Sequence, residues 1–156
     1  MLQGVAQELA AVRDEGRGGW SPELVARALT AVRIAAAYAL DRRVAQRIIA
    51  PNGEVPDARL VIQQGLLRKR KAAVTSPVTA ADVERALEAP IAATTDRQRV
   101  SLETLQSSLG ALTQAQYAAT PGELTFDDHV RAVLEVVGRL RREHGWLRRR
   151  RLMGTS

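Results

Sequence analysis

Between Leu24 and Leu40 the chain is apolar almost without pause, and among its long side chains only Arg27 and Arg33 carry charge. Ser21 suits an N-cap, Pro22 the first helical position, and Glu23 the positive end of a helix dipole. The pattern predicts a helix from there to about Ala50, where Pro51-Asn52-Gly53 would stop it. Glu23, Arg27, Thr30, Arg33 and Asp41 form one narrow polar strip; Leu24, Val25, Leu29, Val32, Ile34, Ala35, Ala36, Tyr38 and Leu40 occupy most of the remaining surface. A helix with so much apolar girth must be covered on several sides, which makes it the central element of a mainly helical fold. Its alanines let neighbours approach closely. The two arginines argue against a lipid-spanning segment.

The other elements are arranged around this one. Leu2, Val5, Leu9 and Val12 predict a short amphipathic helix over residues 2–15, ended by Gly16, Gly18 and Gly19. Residues 56–76 are ambiguous, and β-branched content with Gly65 tips them towards a hairpin. Its strands would be Leu60-Val61-Ile62 and Leu67 to Val74, joined across Gln63-Gln64-Gly65. Thr79 with Asp82 resembles a capping box that opens a short helix, closed by Pro90. Thr94 or Thr95 starts the next helix, with Val100, Leu102, Leu105, Leu109, Leu112 and Tyr117 as its buried face.

The last helix is expected to run from an N-cap at Thr125 to about Arg151, roughly 39 Å at 1.5 Å per residue. Phe126, Val130, Val133, Val137, Leu140, His144 and Leu147 recur in alternating steps of four and three, a heptad seam. The seam loses apolar character at His144, and Arg151 would follow Leu147. Its first half therefore belongs in a core, while its second half projects or meets another chain. The fold class expected is mainly α: one helical domain spanning 1–156, a bundle of five or six helices with a small hairpin near residues 59–74 and a basic C-terminal extension at 139–156.

Charge placement is uneven. Lys and Arg number 23 against 17 Asp and Glu, giving +6. Residues 1–138 hold 16 of each sign, so the excess lies in the last 18 residues, with seven arginines against Glu143. Arginine makes up 21 of the 23 cations; a GC-rich genome accounts for that preference, but not for its clustering. A second knot, Arg68-Lys69-Arg70-Lys71, lies mid-chain. The partner-binding candidates are thus Arg139, Leu140, Arg141, Arg142, Trp146, Leu147, Arg148, Arg149, Arg150 and Arg151, with Arg68 to Lys71 as a secondary patch. Arginine and tryptophan favour protein hot spots. Arginine also neutralises nucleic-acid phosphates, and basic residues beside apolar ones hold anionic membrane surfaces. The plainer reading is a basic last turn that complements the helix dipole and keeps the chain in solution.

Catalytic signals are sparse. The chain has no cysteine, which excludes disulfides, thiolate zinc sites and thiol nucleophiles. His129 follows Asp127 and Asp128, whose natural role is at a helix N-terminus, leaving His129 on the surface of the first turn. Gly16-Arg17-Gly18-Gly19 lacks the lysine and serine of a phosphate loop. The sequence thus points to no catalytic residue, metal site, cofactor or small-molecule substrate. It predicts a non-enzymatic cytoplasmic assembly subunit or adaptor, with a protein partner or a second copy as its ligand. Sequence-independent nucleic-acid binding is the alternative, and peripheral binding to an anionic membrane is a third option.

Overall fold

The computed structural model describes residues 1–50, 53, 60–64, 70–88, 95–118 and 126–153, the side chains of Gln64 and of 145–153 aside. The chain is mainly helical with a small antiparallel sheet. In order come α1 (Leu2–Gly16), α2 (Pro22–Ala39), β1 (Ala45–Ile48), β2 (Leu60–Gln64), β3 (Arg70–Thr75), α3 (Ala80–Leu87), α4 (Asp96–Tyr117) and α5 (Phe126–Met153).

The caps follow local chemistry. Leu24 N–H donates to Ser21 Oγ at 3.2 Å, with Pro22 in the first turn. Thr79 and Asp82 close a reciprocal capping box at α3, and Thr95 and Gln98 do the same at α4. The expected cap Thr125 and the stops at Pro51-Asn52, Pro90 and Thr120 to Gly122 lie outside the described residues.

Helix α2 packs against α1, α4 and α5, and against β2 and β3. Val25, Ala28, Ala31, Val32, Ile34, Ala35, Ala36 and Ala37 are all fully buried in the one core cluster. Its polar strip is tied inward. Arg27 Nε donates to Glu8 Oε1 at 2.7 Å and its Nη1 to Glu15 Oε2 at 2.7 Å, clamping α1. Thr30 turns its hydroxyl back to the Ala26 carbonyl at 3.0 Å.

The helix ends at Ala39, not near Ala50 as its composition suggests. Arg42 N–H reaches Ala37 O at 2.7 Å and Asp41 N–H reaches Tyr38 O at 3.2 Å. Asp41 takes a left-handed φ of 52°. This is a Schellman close with aspartate where glycine is customary. It frees Val44 to Ile49 to pair in a sheet.

That sheet has the order β1-β3-β2, both pairs antiparallel. The hairpin expected near 59–74 is present as β2 and β3, but Gln63 and Gln64, expected in its turn, extend β2 and pair with Lys71 and Arg70; β1 was not foreseen. Leu60, Ile62, Ala72 and Val74 share the face that joins the core. The connection after Gln64, including Gly65, lies outside the described residues.

Two residues assigned to the buried face of α4 are on its surface: Val100 is 50 % exposed and Tyr117 83 %. At about 100° per residue both stand more than 100° from Leu105, the middle of the Leu102, Leu105, Leu109 and Leu112 stripe. Near the start of α5, Phe126 meets Trp20 with ring centroids 5.1 Å apart. Trp20 in turn covers Gly16, where a Cβ would stand 2.8 Å from Trp20 Cε2. Only glycine leaves room for the indole there.

Candidate anion-binding surface

The described cations sort into two groups. Arg13, Arg17, Arg27, Arg42, Arg85, Arg99 and Arg131 each lie within 4.0 Å of a carboxylate. Arg43, Arg47, Arg70, Lys71, Arg139, Arg141 and Arg142 have no such partner among the described residues, nor do Arg33 and Arg97. The first group holds the helices to one another or decorates single helices. Of the second, Arg47, Arg70 and Lys71 lie on the sheet with Arg43 just before it, Arg139, Arg141 and Arg142 on the C-terminal half of α5, and Arg33 and Arg97 on α2 and α4. Unneutralised cations of this kind set the local potential of a surface.

Helix α5 is positioned by Phe126, Val130, Val133, Val136, Val137 and Leu140, all buried. Val136 widens the expected heptad seam into the broader stripe of a helix in a globular core. The ring of His144 then meets Tyr38 edge to face, centroids 5.5 Å apart. Arg141, Arg142 and Glu143 are exposed, and Arg139 is half-buried. Helical backbone continues from Gly145 to Met153. Of the candidates named from sequence, Arg141 and Arg142 therefore face solvent together. Leu140, 7 % exposed, belongs to the chain's own core. Trp146, Leu147 and Arg148 to Arg151 lie on the continuing helix, where only the backbone is described.

In the secondary patch Arg70 and Lys71 are exposed at the start of β3, while Arg68 and Lys69 lie outside the described residues. Sequence reading missed Arg43 and Arg47, because it placed them inside a helix. Arg47 is opposite Ala73, so it shares a sheet face with Lys71 two residues away. The β-branched residues Val44, Ile48 and Ile49 around Arg47 were the available signal for a strand.

His129 is half-buried rather than on the surface. Its Nδ1 lies 3.2 Å from Ser108 Oγ, joining α4 to α5. This pair is poorly placed for nucleophilic chemistry. Ser108 is 1 % exposed, and neither adjacent aspartate orients the ring: Asp127 holds Arg13 and Asp128 holds Arg131, each at 2.8 Å. Nearby acids thus serve packing. Among the described residues no group of three or more histidine and acidic side chains is placed to hold a metal ion, and no helix is long and apolar enough to cross a membrane. Arg33 Nε is buried without a hydrogen-bond partner among the described residues.

Comparison with protein families, with curated proteins and with solved structures found no match.

Proposed function

We propose that the protein is a non-enzymatic assembly subunit or adaptor of the cytoplasm, a single mainly helical bundle that engages an acidic or anionic partner through the C-terminal half of α5. One observation carries this reading: among the described residues Arg141 and Arg142 on that half of α5 are exposed without a carboxylate partner, as are Arg47, Arg70 and Lys71 on the sheet, Arg43 just before it, and Arg97, whereas most other cations of the helical body are paired. Arg141 and Arg142 begin the proposed surface, and Arg148 to Arg151 follow later in the same helix. A partner that supplies carboxylates would neutralise arginines that the chain's own acids leave alone, and arginine forms bidentate pairs with them.

A second reading, sequence-independent nucleic-acid binding, is favoured by Arg47, Arg70 and Lys71 on the sheet and Arg43 just before it. The two readings separate in one experiment. The full chain and its Arg148→Glu/Arg149→Glu/Arg150→Glu/Arg151→Glu variant are compared by light scattering with proteins co-purified from the native cell, and by anisotropy with a labelled single-stranded DNA. The assembly reading expects a defined complex that the variant loses, with little response to DNA. Binding to DNA that falls steeply with salt would replace it with the second reading. Complexes unaffected by charge reversal would sink both.

A further inference from the structure

A groove of about 650 Å³ runs between α1 and β2, within the usual size of a ligand site. One of its walls is the edge of β2 that no other described strand pairs, and the sheet register states which backbone groups face it. Ile49 N–H donates to Lys71 O at 2.9 Å, which makes Ile49 and Lys71 a hydrogen-bonded pair of the β1–β3 ladder. In an antiparallel ladder such pairs alternate, so Arg70, Ala72 and Val74 turn their backbone groups to β2. They bond Gln64, Ile62 and Leu60, and the N–H and C=O of Val61 and Gln63 are left pointing into the groove. None of these four groups has a hydrogen-bond partner among the described residues.

The opposite wall is α1. At Gly4 the helix lies so near the strand that a Cβ would stand 2.6 Å from Ile62 Cγ2. Gln3 and Gln7, both exposed, offer primary amides. Glu8 also lines the groove, but its carboxylate is held by Arg27 at 2.7 Å. The lining side chains include no cation, and the ammonium of Met1 is the one positive group among the lining residues, too little counter-charge for a phosphate backbone.

We propose that this groove takes an extended, uncharged polypeptide segment as a fourth strand of the sheet. Two of its residues exchange main-chain hydrogen bonds with Val61 and Gln63. The residue between them faces α1, where a hydroxyl or amide meets Gln3 and Gln7; its neighbours lie beside Val61 and favour β-branched side chains. A second copy is the poorer fit, because it would bring its own α1 to the same edge. The site is separate from the arginines of α5.

The test uses the full chain, ¹⁵N-labelled, and the uncharged peptide acetyl-Thr-Val-Thr-Val-Thr-amide. Binding should slow amide exchange at Val61 and Gln63 at least about tenfold, as expected when free donors become paired, and leave Arg47 unchanged. N-methylation of both valines should weaken binding about tenfold by removing two donors. The Arg148→Glu/Arg149→Glu/Arg150→Glu/Arg151→Glu variant should bind the peptide as the natural chain does, so failure here is distinct from failure of the α5 reading. No protection at Val61 and Gln63 with millimolar peptide overturns the proposal, as does equal affinity for the methylated peptide. Protection that instead rises with protein concentration alone would assign the edge to a second copy and overturn it as well.

Discussion

Tyr38 and His144 meet edge to face, with centroids 5.5 Å apart, and so fasten the C-terminal half of α5 to the last turn of α2. Such a pair contributes about 0.5–1.5 kcal/mol beyond its buried area. A double-mutant cycle of Tyr38→Ala and His144→Ala should return a coupling in that range. Burial also pushes the Tyr38 phenol above its ordinary value of 10.0. The folded state favours the neutral phenol, so stability is unaffected below pH 10 and declines as the phenol ionises above it. His144→Ala opens the contact, and ultraviolet titration should then find Tyr38 ionising closer to its ordinary value. An unchanged titration would mean that other neighbours bury the phenol.

Asp82 accepts from the Thr79 backbone N–H at 2.9 Å and from its hydroxyl at 2.8 Å. These bonds, with Arg42 nearby, hold its carboxyl down to about 2, against an ordinary value of 3.8. A depressed folded value means stability that is present above pH 4 and lost as pH falls towards 2. Asp82→Asn should therefore be less stable than the natural chain at pH 6, and the gap should close by about pH 2. Urea unfolding across that range measures it. A gap independent of pH would show that the charge of Asp82 is irrelevant to the cap.

The capping chemistry at Ser21, Thr79 and Thr95 was legible in the sequence because a cap is decided within four residues. The core stripes of α1 and α5 were legible for a similar reason: they repeat. What escaped depended on distant partners. Ala45-Gln46-Arg47 reads as comfortably in a helix as in a strand, and it is a strand because β3 lies beside it. Arg43 and Arg47 were lost from the candidate surface with it. His129 looked like a solvated residue of a first turn, since nothing near it in sequence reveals Ser108 of α4. Arg141 and Arg142 were plain as part of a charge run, whereas the burial of Leu140 between them and Arg139 required the helix to be placed against its neighbours.

Asp41 closes α2 with a φ of 52°, a conformation that disfavours residues bearing a Cβ and suits glycine. Its negative charge also sits at the negative end of the helix dipole. Asp41→Gly relieves both, against the greater freedom glycine gives the unfolded chain. The expected balance is a stabilisation of about 0.5 kcal/mol. Asp41→Val should destabilise by about 1 kcal/mol or more, since a β-branched residue tolerates this conformation badly. Equal urea midpoints for the two variants would contradict the Schellman close.

Leu140 and the arginines beside it should separate stability from binding. Leu140 is 7 % exposed in the core, so Leu140→Ala should lower stability by about 2–3 kcal/mol whatever the protein binds. Arg141 and Arg142 are exposed and have no carboxylate partner among the described residues, so Arg141→Glu/Arg142→Glu should change stability by less than about 0.5 kcal/mol. The same double reversal should weaken an acidic partner by tenfold or more, because it replaces two attractions with two repulsions. Thermal unfolding and partner capture on the same three proteins read the two effects apart. If the charge reversal unfolds the chain as Leu140→Ala does, these arginines support the fold and the surface proposed for α5 must begin beyond His144.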